Sequence, residues 1–193
     1  MGARPSDRRP ARRWPAAVAT AAAAAFALAL LATPVASRAD DESFEVRVKA
    51  AYIFNFLTFV EREPEGGEAV APPPRICVLG DDPVLVPLRA LSGRKVRGEP
   101  VEVVAAAAVG EAAACRILVI GRAESARLPT TLRALAGTRV LTVSDIPRFS
   151  RSGGVIGFVT EGGRVRIEVS QEAARNAGLR VSAKLLEIAR VVP

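Results

Sequence analysis

The chain has 193 residues, 27 basic and 20 acidic, a formal net charge of +7, and no histidine. Without imidazole, His-based triads, imidazole general bases and most zinc sites are excluded. Six of the basic residues and one acidic residue fall in the first 39 positions, leaving 21 against 19 and a net charge of +2, which gives no basic surface for nucleic acid.

Arg8, Arg9, Arg12 and Arg13 precede an apolar run from Ala16 to Ala32, and small residues follow from Pro34 to Ala39. That order predicts a secretory signal peptide over 1–39, cleaved close to Ala39. A retained anchor is the alternative, but the run is mostly alanine and is borderline against the roughly 20 residues a span needs. Residues 40–193 are then one exported domain, long enough to bury a core without staples.

Phe44 to Val60 carries Val48, Ala51, Tyr52, Phe54, Phe56, Leu57 and Phe59 at helical spacing, and Ser43 is placed to cap the start. Lys49 and Asn55 interrupt the apolar pattern. A linker rich in Glu, Gly and Pro runs from Glu61 to Pro74. Arg75 to Gly80 reads as a buried strand, with Asp81-Asp82-Pro83 capping a helix from Val84 to Leu91. Lys95 to Val104 alternates and reads as a more exposed strand. Ala105 to Ala114 is a loop or short helix, and Cys115 to Gly121 is a second buried strand. A helix over Ser125 to Leu135 and a strand over Val140 to Ser144 follow. Strands Val155–Thr160 and Arg164–Val169 are joined by Glu161-Gly162-Gly163, a hairpin signal. The chain closes with a helix from Gln171 to Ala177, a break at Gly178, and a helix from Val181 to Val192.

Strands alternating with helices give an α/β fold. We expect a single three-layer-like domain with a mixed, mostly parallel sheet, flanking helices and an antiparallel hairpin near the C-terminus. Three strands end in polar turns: Gly80-Asp81-Asp82, Gly121-Arg122 and Ser144-Asp145. Such carboxyl ends line the default ligand crevice of an open α/β sheet. No catalytic set stands out. Asp81-Asp82 reads as a helix cap before it reads as an acid/base or metal pair. Gly153-Gly154-Val155-Ile156-Gly157 leads into a strand and lacks the context of a phosphate loop. No cofactor and no metal is expected.

Cys77 and Cys115 form a candidate disulfide, which an oxidising compartment permits; two buried thiols are the alternative. Register is the obstacle: Cys77 lies three residues before Gly80 and Cys115 six before Gly121. Strands aligned by those glycines would hold the sulfurs too far apart.

Tyr52, Phe54, Phe56 and Phe59 spread around their helix, because residues two apart differ by about 200°. We expect part of that aromatic surface, with Lys184 to Ile188 of the last helix, to meet a second copy or a partner. Complete burial is the competing expectation.

Val48-Lys49-Ala50-Ala51-Tyr52-Ile53-Phe54-Asn55-Phe56 resembles the opening helix of the YfiR-like periplasmic proteins (DUF4154). Ile76 to Pro83, Cys115 to Ile120, Leu141 to Asp145, Gly153 to Ile156 and Val181 to Leu186 are similar to the family's later segments, in the same order. Departures are Glu61 to Pro64 in place of a Trp-Pro, Arg116 in place of a His, Ser170 in place of an Asn, and no second cysteine pair. The resemblance implies a non-enzymatic, dimeric periplasmic regulator. It would repress an inner-membrane diguanylate cyclase through the cyclase's periplasmic sensor region and be tuned by disulfide redox state. A periplasmic domain that binds a small solute or nucleotide-like ligand in the crevice is the alternative. An exported enzyme is disfavoured by the missing histidine and nucleophile elbow.

Overall fold

The structure, a computed structural model, describes the backbone of residues 36–62 and 73–193, with side chains from Asp41 onward. The predicted signal peptide and its cleavage site lie outside the residues whose side chains are described, as does most of the predicted linker. Asp41–Pro193 forms one compact unit.

The described residues open with helix α1, Ala36–Phe59, and the short strand β1, Val60–Arg62. Strand β2 (Arg75–Leu79) leads to helix α2 (Leu85–Arg89), the two-residue strands β3 (Lys95–Val96) and β4 (Glu99–Pro100), and strand β5 (Glu102–Ala106). A 3-10 turn at Val109–Ala114 precedes β6 (Ile117–Ile120), and a second at Arg122–Arg127 runs into α3 (Leu128–Ala134). Strand β7 (Leu141–Ser144) and a 3-10 turn (Phe149–Ser152) lead to β8 (Ile156–Glu161) and β9 (Arg164–Ser170). Helix α4 (Gln171–Asn176), β10 (Leu179–Val181), α5 (Ala183–Ile188) and β11 (Arg190–Val192) complete the chain.

Seven strands form one sheet in the order β11-β9-β8-β7-β6-β2-β5. Strands β5, β2, β6, β7 and β8 run parallel, and β8 pairs antiparallel with β9. The mixed, mostly parallel sheet, its hairpin and its flanking helices are the architecture expected from the sequence. Both faces are covered, so the central strands read as continuous apolar runs rather than alternating ones. The period-two pleat divides them: Ile76, Val78, Ile117, Val119, Leu141 and Val143 face one core, and Cys77, Leu79, Leu118 and Ile120 face the other.

Helix α1 covers the first face and sends Ala50, Ile53, Phe56 and Leu57 into it, each 4 % exposed or less. That four-residue set at i, i+3, i+6 and i+7 is one helical stripe. Phe56 stacks on Phe158 of β8 with ring centroids 6.0 Å apart. The hairpin turn is Gly162-Gly163, with Glu161 paired to Arg164 and φ of 57° and 71°. A two-residue loop with φ positive at both positions is the turn that matches strand twist, and glycine adopts it without strain. Gly154 is required for a different reason: a Cβ there would lie 2.1 Å from the Phe149 ring.

Four expectations need correction. Helix α1 begins at Ala36, so Ser43 is not a cap; it sits inside the helix and accepts a hydrogen bond from Arg47 one turn on, at 3.1 Å. Lys95 to Val104 is not one strand, because Arg97 and Gly98 adopt φ of 52° and 92° and turn β3 back on β4. The Ser125–Leu135 segment divides into a 3-10 turn and α3, with Pro129 in the helix's first turn. Val181 to Val192 is not one helix. Val181 belongs to β10, paired with Val60 of β1; Ser182 then caps α5, accepting from the Leu185 N–H, and the β-branched Val191-Val192 joins the sheet edge.

Cys77 and Cys115 are bonded, with Cα atoms 6.0 Å apart. The register pairs Leu79 with Ile120, so Gly80 and Gly121 do stand level. The bond forms nonetheless because Cys115 is not in the strand. It precedes β6, on the segment that leaves the 3-10 turn, and it packs in the same apolar cluster as Cys77.

Candidate functional site

The parallel strands deliver their carboxyl ends to one edge of the molecule, and α1 lies across them. Between them is a crevice of about 950 Å³, reached by Asp81 and Asp82 after β2, Arg122 after β6 and Asp145 after β7. These are four of the seven residues expected there from sequence. The other three serve the scaffold. Ser144 is buried, donates to the Ile120 carbonyl at 2.6 Å and accepts from the Ile146 N–H at 3.0 Å. Gly121 lets the turns touch, since a Cβ would meet the Leu79 and Asp81 carbonyl oxygens at 3.2 Å. Gly80 lines a separate pocket of about 410 Å³ with Glu124 and Arg127.

The centre of the crevice is Lys49, which sequence reasoning treated only as an interruption of an apolar helix. It is 8 % exposed. Its Nζ lies 2.7 Å from Asp145 Oδ2 and 2.7 Å from Glu45 Oε1, one helical turn earlier. Thr160 of the hairpin donates to Glu45 at 2.9 Å. Arg122 Nε stands 2.9 Å from Asp145 Oδ1, within ion-pair range, although that buried oxygen accepts no well-aligned hydrogen bond. One charged network therefore ties α1, β7, β8 and the turn after β6. The signal for it was a lone lysine one turn after a glutamate on an apolar face. A buried lysine requires a partner.

The shifts within the network all favour its ionised form. Burial works against the Lys49 ammonium, but hydrogen bonds to Asp145 and Glu45 outweigh it and raise its pKa. Burial likewise opposes ionisation of Asp145, and Arg122 with Lys49 reverses this and lowers its pKa. For Glu45 burial again opposes, and Lys49 and Thr160 lower its pKa. Asp82 moves the other way: burial raises its pKa, the Val84 N–H bond offsets part of that, and the Asp145 charge adds to it. Asp82 Oδ1 accepts from the Val84 N–H at 2.9 Å, which closes the turn before α2; the helix itself starts after Val84 with no side-chain cap, so the expected Asp81-Asp82 helix cap is not formed. Among the described residues no three His, Cys, Asp or Glu side chains are grouped to hold a metal ion.

The aromatic residues of α1 divide. Phe56 is 1 % exposed and belongs to the core, so it leaves the set expected at an interface. Tyr52 is half-buried between Phe56 and Phe158, at 6.5 and 6.3 Å, and lines the crevice. Phe54 is half-buried under the Arg94 guanidinium, 5.6 Å from its centroid, and Phe59 is half-buried at the end of the helix. Lys184 is exposed on α5, with Ile188 exposed one turn on. Phe44, not singled out from sequence, is 63 % exposed. It starts an outward stripe of Phe44, Arg47, Ala51, Asn55 and Thr58, all exposed. An outward helical face is normally charged, and this one carries a single charge.

The sequence profile of the YfiR/HmsC-like family (DUF4154) matches residues 46–190, which takes in α1 from Val46, the sheet up to the first residue of β11, and most of the crevice lining but not Glu45. The chain belongs to that family. No match was found among curated proteins.

Proposed function

We propose that this chain is a non-enzymatic periplasmic regulator, exported by a signal peptide over 1–39, that represses an inner-membrane diguanylate cyclase by binding its periplasmic sensor region. Family membership over 46–190 supports this reading. The observation that carries the contact mechanism is the outward face of α1, which exposes Phe44, Ala51, Asn55 and Thr58 with Arg47 as its one charge. Apolar and weakly polar surface of this kind favours a partner over water. The half-buried Tyr52, Phe54 and Phe59 flank it, and the same face serves a homodimer if two copies associate through α1. At the centre of the crevice Lys49, Glu45, Asp145 and Arg122 are spent on one another rather than aimed at a substrate, which favours a non-catalytic role.

The Cys77–Cys115 bond supplies the redox arm of the proposal. Reduction frees the segment before β6, whose Cys115 carbonyl accepts from Arg62 of β1 at 2.6 Å, and β1 directly follows α1. With the Arg116 bond to the Val60 carbonyl at 3.3 Å, this contact lets redox state reach the end of the contact helix.

Deletion of the chromosomal gene followed by measurement of cyclic di-GMP tests the proposal. The level rises and returns on complementation with the wild type, and a Phe44→Glu, Ala51→Glu double variant that accumulates in the periplasm fails to restore it. An unchanged level in the deletion strain contradicts repression. A second reading, a small-ligand binding domain, rests on the size and charge of the crevice. Saturable binding of a metabolite that is lost in Asp82→Asn, with cyclic di-GMP unaffected by deletion, would favour it.

A further inference from the structure

We propose that a second cavity, between α3 and α4, binds a small organic acid with an apolar body. It has a volume of about 380 Å³ and shares no lining residue with the crevice. Its apolar wall is Leu132, Leu135, Val140, Val155 and Ala173. That volume is at the small end of the roughly 300–1,000 Å³ typical of ligand pockets, which suits one ring or a short branched chain.

Of three buried hydroxyls in the lining, Ser150 already donates to the Glu168 carbonyl at 3.3 Å, and the other two set the polar chemistry. Thr142 and Ser170 line the cavity and are 5 % and 3 % exposed. Thr142 Oγ1 accepts from the Val155 N–H at 3.0 Å, and Ser170 Oγ accepts from the Ala173 N–H at 3.2 Å. Each therefore has an acceptor role filled, and neither donates its own proton to any acceptor among the described residues. A buried donor without an acceptor is unfavourable, and a ligand oxygen corrects it. At the rim, Arg151 is exposed and forms no ion pair among the described residues, and Asn176 of α4 adds an amide. Glu172, in the first turn of α4, also lines the cavity and repels an anion on its side. The carboxylate is thus placed between the Arg151 guanidinium and the Thr142 and Ser170 hydroxyl donors, with the apolar body against Leu135, Val140 and Ala173. The Arg151 guanidinium can grip it with two parallel N–H bonds.

Neither cyclase repression nor the crevice enters this inference. The test is a titration of the disulfide-intact, signal-processed protein with sodium benzoate, followed by amide NMR. Expected are saturable shifts in the millimolar range for a fragment of this size, up to roughly 20 mM. They map to residues 132–142, 150–155 and 170–177. Arg151→Gln weakens benzoate about fivefold without weakening benzyl alcohol, as loss of a charge-assisted contact requires. Ala173→Leu fills the cavity and abolishes the shifts; Thr142→Val, which keeps the shape and removes the hydroxyl, weakens them if the leucine variant does not fold. Three results would overturn the proposal: no saturable shift, benzyl alcohol binding as well as benzoate, or shifts centred on the crevice.

Discussion

The two faces of the sheet are held by different means. Among the described residues, the face under α1 packs 23 buried apolar residues, including Phe56, Phe158 and Ile53, and the Lys49 network intrudes on it. The opposite face packs 12, among them two alanines and the two cysteines, and is closed by the Cys77–Cys115 bond. Where apolar area is ample, burial supplies the stability, and charge serves to fix the helix in one position. Where it is scarce, a covalent link supplies what burial lacks. The thick face also carries the proposed contact surface, so its helix must be both firmly seated and outwardly apolar.

The largest expected effect breaks the thick face. Phe56→Ala removes a fully buried ring that stacks on Phe158 and should cost about 3–5 kcal/mol in chemical denaturation, with the disulfide still intact by mass. Next is the thin face: opening the bond across a sequence separation of 38 should cost about 3–4 kcal/mol in the chain-entropy account. Cys77→Ala with Cys115→Ala, compared with wild type in oxidising buffer, measures it. An effect under about 1 kcal/mol would mean that packing alone holds this face.

The network comes third. Lys49→Met leaves Asp145 with one cation and should cost roughly 2–3 kcal/mol, at the lower end for a buried pair because Arg122 remains. The paired change Lys49→Met with Asp145→Leu should recover much of that loss. Its pH dependence has a definite sign. Asp145 and Glu45 have folded pKa values below their ordinary ones, so their contribution is present above the unfolded pKa and is lost as pH falls through the folded one. Lys49 has a raised pKa, so its contribution holds below its unfolded pKa and is lost as pH rises through the folded value. Melting temperature between about pH 5 and pH 2 should fall more steeply in wild type than in the Lys49→Met, Asp145→Leu variant. The smallest effect is at the surface: Phe44→Glu should change stability by less than about 0.5 kcal/mol while weakening partner contact.

Much of this was legible because the two periodicities are clean. The central strands Ile76–Leu79 and Ile117–Ile120 are short apolar runs between turn residues, and the Gly162-Gly163 hairpin announces itself by its glycines. Three polar turns far apart in sequence pointed to the crevice, because strand ends converge in any parallel sheet, and four of their residues line it. The short elements were not legible. β1, β3, β4, β10 and β11 have three residues or fewer, too few for a period to register, and their pairing is set by tertiary position. Lys49 was hidden for a similar reason: its partner Asp145 is 96 positions away. The disulfide was legible from compartment and cysteine count, but not from register, because Cys115 enters its strand from a 3-10 turn.

The proposal that this chain acts by protein contact through α1 is tested most directly by calorimetry of the signal-processed protein against the purified periplasmic region of the cyclase. We expect saturable binding by the oxidised wild type, a marked loss for Phe44→Glu with Ala51→Glu, and no change for Arg151→Gln. Absence of binding by a folded, oxidised wild type, or undiminished binding by the double α1 variant, would contradict it.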